Sequence, residues 1–114
     1  MKNQVNRFDV IVVGGGAAGM MAAGVAAQNG LRTLLLEKND RLGRKLRITG
    51  KGRCNVVNNC DVPAVIASVP VNGRFLYSAV SRFTPQDTMR FFENLGVPLK
   101  TERGNRVFPE SDFA

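Results

Sequence analysis

Six small residues in a row, Gly14-Gly15-Gly16-Ala17-Ala18-Gly19, separate the largely apolar run Phe8 to Val13 from an alanine-rich stretch. A glycine-rich turn at such a junction is suited to cradling phosphate. Gly14 permits the tight turn, Gly16 lets backbone approach a pyrophosphate, and Gly19 lets helix and strand pack closely, while the helix N-terminus presents unpaired N–H groups and partial positive charge. Glu37 follows Gly19 by 18 positions, at the end of the apolar run Arg32 to Leu36. A carboxylate there pairs with the 2′- and 3′-hydroxyls of an adenosine ribose and repels a 2′-phosphate. The subsite therefore suits the ADP half of FAD or NAD better than NADP, without separating FAD from NAD. The plainer alternative for Glu37 is a solvated acid at a strand end.

The elements that must position these residues form a βαβ unit over 8–37. A first strand ends at Val13, Met20 to Gln28 reads as a helix, Asn29-Gly30 supplies its left-handed stop, and a second strand runs up to Glu37. Val10 to Ala27 is also 18 residues without charge, preceded by Lys2 and Arg7, which superficially resembles a leader or a membrane span. Five of those residues are glycine, which leaves little hydrocarbon and weakens the helix a span requires. A soluble, cytoplasmic protein with no membrane partner is the expectation, and two cysteines without a secretory signal agree with a reducing compartment.

The chain has 114 residues, 44% of them hydrophobic, and a formal charge of +7. Its basic excess is local: Lys38, Arg41, Arg44, Lys45, Arg47, Lys51 and Arg53 lie in one stretch whose single acid is Asp40. A nucleic-acid patch, a solvated surface run and a loop closing on a cofactor pyrophosphate all compete for that stretch. The third fits the neighbours best, because Gly43, Gly50, Gly52, Thr49 and Asn55 interleave the cations, whereas a duplex-binding face is more often a regular helix. No nucleic-acid partner is expected. Cys54 and Cys60, in a chain with no histidine, make no metal set and no CxxC pair. Beside Arg53, the Cys54 thiol is either activated by a lowered pKa or idle.

Three segments together, Gly14 to Gly19, Leu36 to Lys45 and Ile48 to Asn58, resemble the bacterial NAD(P)/FAD-dependent oxidoreductases of the aminoacetone-oxidase and bile-acid-reductase type. Phe91 to Glu102 and Gly104 to Pro109 are similar to the same family, so the likeness spans nearly the whole chain. The resemblance implies an α/β, Rossmann-like FAD-binding domain in which Gly14, Gly16, Ala17, Ala18 and Gly19 hold the pyrophosphate and Glu37 and Lys38 flank the adenosine ribose. It further implies a cofactor loop over 38–58, with Thr49, Gly52, Arg53, Cys54 and Asn55 approaching the ribityl chain and flavin. Arg44, Lys45 or Arg53 would offset the phosphates, arginine through paired N–H bonds. Lys51 stands where such relatives commonly carry glycine. NAD(P)H is a possible second substrate.

The remainder reads as scaffold: a helical segment over 61–96 and a β-hairpin over 97–109 turning at Arg103-Gly104-Asn105. Asp61 caps a helix over Pro63 to Val69, a second helix covers Phe75 to Phe83, and Thr84, Pro85 and Asp87 open a third that ends at Gly96. The phenylalanines are expected in the core and Tyr77 as a packing residue. No acid–base set stands out. Two clear parallel strands are too few for a Rossmann sheet, so the expectation is an incomplete domain, inactive alone. Its small-molecule substrate would bind through a missing domain, and the oligomeric state stays open. The chemistry expected of the whole is hydride transfer between a nicotinamide or organic substrate and FAD. A nonenzymatic NAD/FAD-binding sensor and a basic RNA-binding fragment are the competing classes.

Overall fold

A computed structural model describes residues 6–114, and Lys2, considered above as part of a charged leader, lies outside them. The chain divides into two compact units, with the boundary between Arg47 and Ile48. The first unit contains strand β1 (Val10–Val13), helix α1 (Ala17–Gln28) and strand β2 (Thr33–Leu36). β1 and β2 pair in parallel, with Val10 opposite Thr33 and Val13 opposite Leu36. A parallel pair requires a crossover, and α1 supplies it. Asp9, the one charge in the first apolar run, accepts from the Arg32 amide at 2.7 Å and so pins the start of the pair.

α1 begins three residues earlier than its apolar pattern indicates, because the alanines after Gly16 join the helix. It ends as expected, with the Gly30 N–H donating to the Ala27 carbonyl at 3.0 Å and φ of 78° at Gly30. Alternation along β1 places Val10 and Val12 on the half-buried face and leaves Ile11 and Val13 exposed.

The second unit is built on a three-stranded antiparallel sheet ordered β3-β5-β4, from β3 (Val57–Asn58), β4 (Leu99–Glu102) and β5 (Arg106–Pro109). The hairpin β4-β5 turns at Arg103–Asn105 with Gly104 at φ 76°. β3 was not legible as a strand: only two residues long, it is made by its partner, with Val57 opposite Val107 and the Val56 amide donating to the Val107 carbonyl at 2.9 Å. Helices α2 (Val62–Ser68), α3 (Tyr77–Arg82) and α4 (Pro85–Asn94) make up the helical segment.

The anticipated helix over Phe75 to Phe83 is divided. A 3-10 turn at Gly73–Leu76 precedes α3, entered through Asn72 in the left-handed region at φ 58°. Phe75 is 87% exposed and Tyr77 60%, so neither is the core residue expected of it. The aromatic packing sits elsewhere: Val107 and Phe108 of β5 are fully buried, and Phe83, Phe91 and Phe92 form an edge-to-face series. Exposed helix faces with one aromatic per turn do not announce which side is covered, and only the sheet decides that.

α4 carries a complete capping box. The Thr84 hydroxyl accepts from the Asp87 amide at 3.1 Å and the Asp87 carboxylate accepts from the Thr84 amide at 3.0 Å, with Pro85 in the first turn. Thr84→Ala is expected to lower stability by about 1 kcal/mol, measured by denaturant unfolding. Thr84→Ser should restore most of the loss, since serine keeps the accepting oxygen.

Candidate nucleotide-binding site

Four hydrogen bonds donated by backbone amides shape the glycine-rich turn of the first unit and the carboxylate beside it. The Gly14 N–H donates to the Leu36 carbonyl at 2.7 Å, extending the β1-β2 pairing by one rung, and the Gly43 N–H donates to the Gly15 carbonyl at 2.8 Å. The Gly15 N–H donates to Glu37 Oε1 at 2.9 Å, and the Asn39 N–H donates to Oε2 of the same carboxylate at 2.7 Å. Gly14 turns with φ of 104°, a region L side chains rarely adopt. A Cβ on Gly19 would overlap the Gly14 carbonyl oxygen, which is the close helix-to-strand approach this glycine allows. Gly16 differs: nothing lies within 4 Å of where its Cβ would stand, so packing within the protein does not call for a glycine there.

α1 starts at this turn with no side-chain cap and no acid in its first turn. Its first ladder bond runs from the Met20 N–H to the Gly16 carbonyl at 2.9 Å. The amides of Gly16, Ala17, Ala18 and Gly19 thus precede the ladder and form the donor end of the helix dipole. An anion satisfies such donors without any side chain.

Glu37 stands one residue beyond β2, within reach of that end. The Asn39 amide and then the Gly15 amide hold its carboxyl below the usual carboxylate range, so it is an ionised, acceptor-only group at neutral pH. A carboxylate offers about four lone-pair sites; two are taken, and two are left for hydroxyl donors. A donor end for phosphate beside a carboxylate for vicinal hydroxyls matches the two halves of an ADP moiety. Asn39, Leu42 and Gly43 belong to the loop over 38–58 that was expected at the cofactor, and each of them touches the turn or its carboxylate. Leu42 and Glu37 line the space a Gly15 side chain would need, and Gly43, buried at φ 66°, carries the chain back to the turn. The sequence places Gly43 in that loop, whereas its bond to the Gly15 carbonyl joins segments that only the fold brings together.

Lys38, Arg44 and Lys45 follow on the same unit, all exposed, and no ion pair engages them among the described residues. The remaining candidates lie in the second unit on one loop. Thr49–Gly52 forms a 3-10 turn, and the Cys54 and Asn55 amides donate to the Thr49 carbonyl and to Thr49 Oγ1, both at 3.1 Å. Lys51 adopts φ of 58°, a conformation natural to glycine and tolerated here by a lysine. Arg53 is not a spare cation: Nη1 lies 3.0 Å from both Glu102 carboxylate oxygens, and the guanidinium stacks on Phe108 at 3.8 Å from the ring centroid. Burial pushes the Cys54 thiol up, against a smaller downward pull from the Thr49 side chain, so the activated-thiol alternative is set aside in favour of the idle one. No helix among the described residues is long and apolar enough to cross a membrane.

Comparison with known proteins places these features in a lineage. A family model described as the HI0933-like protein Rossmann domain matches residues 8–114. The chain is 39% identical over 104 residues to a ribosomal RNA dihydrouridine synthase of Escherichia coli strain K12, covering 91% of this chain and 26% of that protein. It is 34% identical over 113 residues to a 3-dehydro-bile acid delta(4,6)-reductase of Clostridium scindens, covering 96% of this chain and again 26% of the relative. A shorter match, 52% identical over 48 residues, joins 42% of the chain to 8% of a 3-oxosteroid 1-dehydrogenase of Mycobacterium tuberculosis. The chain spans about a quarter of the length of the first two relatives.

Proposed function

The chain belongs to the HI0933-like Rossmann-domain family, and from that premise we propose that it is the ADP-gripping part of an FAD-dependent oxidoreductase. The observation that carries this is the junction of three features in one unit: an uncapped α1 N-terminus, the open space at Gly16 and the twice-bonded Glu37 carboxylate. Gly16, Ala17, Ala18 and Gly19 hold the pyrophosphate through their amides, and Glu37 accepts the adenosine ribose hydroxyls. Arg44 and Lys45 supply the counter-charge. When bound, the flavin supplies hydride transfer, and this chain's residues bind and orient it.

Relatives with the names of a reductase, a dehydrogenase and a dihydrouridine synthase favour a redox enzyme over a sensor. The compounds in those names share one chemistry: two hydrogens added to or removed from a carbon–carbon bond beside a carbonyl. The substrate class proposed for the whole protein is accordingly a carbonyl-conjugated alkene, with NAD(P)H as a candidate hydride source.

The test is the visible spectrum of the purified full-length polypeptide, repeated on the supernatant after heat release. Flavin bands with about one equivalent of FAD released are expected. A colourless full-length protein that fails to take up added FAD would overturn the proposal. Anaerobic bleaching by NADH or NADPH, followed by recovery on adding a conjugated enone or a uridine-containing ribosomal RNA, separates the two named substrate types.

A further inference from the structure

The Thr49–Asn55 loop holds a backbone that its own sequence does not enforce. Gly50, Lys51, Gly52 and Cys54 have φ of 59°, 58°, 89° and 66°. For Lys51 and Cys54 the left-handed region costs about 1–2 kcal/mol each, and such residues persist only where surrounding structure over-determines them.

What surrounds this loop is a closed circuit of charge. Arg53 Nη1 is 3.0 Å from Glu102 Oε1 and 3.5 Å from Asp112 Oδ1, while Lys100 Nζ is 3.3 Å from Glu102 Oε2 and 2.7 Å from Asp112 Oδ1. Two cations and two carboxylates therefore alternate. Lys100 and Glu102 project from β4, and Asp112 from the turn after β5. The Arg53 Nε also donates back to the Gly50 carbonyl at 3.3 Å, inside the loop itself. Beneath lies Phe108, 1% exposed, against which Gly50 packs so closely that a Cβ there would come within 2.7 Å of Cε1. Arg53 is thus gripped at its head by acids, along its face by an aromatic ring, and by the carbonyl of a residue three positions before it. Isolated surface ion pairs contribute little, but a shared, partly shielded network that also seats a planar guanidinium on a ring fixes geometry.

We propose that Glu102 is a positioning residue: through Arg53 it sets the left-handed path of the Gly50–Cys54 backbone, and thereby the FAD affinity of the full-length protein. The cofactor consequence rests on the FAD reading above, whereas the control of loop conformation does not. Sequence gives no sign of the role, since Glu102 lies 49 positions from Arg53.

The experiment is amide hydrogen exchange on the cofactor-free full-length polypeptide, comparing wild type with Glu102→Gln and Glu102→Asp. The reporters are the Arg53, Cys54 and Asn55 amides, which donate within the loop. Glu102→Gln should speed their exchange about tenfold, leaving the Val56 amide, bonded to Val107, unchanged. Glu102→Asp, which keeps the charge, should recover part of the protection and serves if the glutamine variant does not fold. Unchanged exchange at the three reporters in Glu102→Gln, or in Glu102→Asp where the glutamine variant does not fold, overturns the proposal. FAD titration of the same proteins should show about tenfold weaker binding for Glu102→Gln; loosened reporters with wild-type FAD affinity would overturn the cofactor half. A wild type that binds no FAD at all would refute the proposed function, and the exchange data would still decide the positioning role.

Discussion

Glu37→Arg will weaken FAD binding about a hundredfold or more, and Glu37→Gln about tenfold, read by quenching of flavin fluorescence on titration into the apoprotein. The carboxylate oxygens that receive the Gly15 and Asn39 amides at 2.9 and 2.7 Å are the same ones left with lone pairs for sugar hydroxyls. Arginine offers donors only, so it leaves the two amides without their acceptor, cannot accept from the ribose hydroxyls, and also reverses the charge beside the turn. Glutamine keeps one accepting oxygen, hence the smaller loss. An adenosine ribose carrying a 2′-phosphate should respond in the opposite sense, losing its repulsion when Glu37 becomes arginine. Unchanged FAD affinity in both variants would remove Glu37 from the site.

Acid should act through the same group. The folded-state pKa of Glu37 is depressed by the two amides, so its contribution to stability is fully present above the unfolded value of about 4.3 and is lost as pH falls through the lower folded value. Binding through the carboxylate should therefore persist down to mildly acidic pH and fail only below the ordinary carboxylate range.

The second large effect separates two glycines of one motif. Gly19→Ala will destabilise the fold by about 2 kcal/mol or more, because the new methyl would overlap the Gly14 carbonyl oxygen and crowd Val12. That clash opposes, and outweighs, the gain of about 1 kcal/mol that alanine brings to a helix interior. Gly16→Ala faces no such neighbour, and its φ of −83° with ψ of −167° is open to alanine, so stability should change by less than about 1 kcal/mol. Its effect should belong to the ligand: if the proposed pyrophosphate approaches the amides here, the methyl stands in its way and FAD affinity should fall about a hundredfold. Thermal unfolding of both variants, alongside FAD titration of Gly16→Ala, checks the pair. A Gly16→Ala protein that binds FAD as wild type would place the phosphates elsewhere.

Features that depend on a few neighbouring residues could be read from the residues themselves. The strand-turn-helix order around Gly14 to Gly19, the Asp61 and Thr84 caps, the stop at Gly30 and the hairpin turning at Gly104 are each set by local sterics and by hydrogen bonds spanning two to five positions. The offset from Gly19 to Glu37 was legible because one helix between two paired parallel strands leaves little freedom in where the second strand ends. The long-range pairings came from the fold. It placed Arg53, which reads locally as a phosphate cation, under the control of acids 49 and 59 positions away. It made a strand of Val57–Asn58 by laying it beside β5, and it buried Phe108 while leaving Phe75 exposed. A charge or an aromatic ring has no preferred partner in the local chain. Which opposite charge or apolar surface it meets depends on how the sheet brings distant segments together.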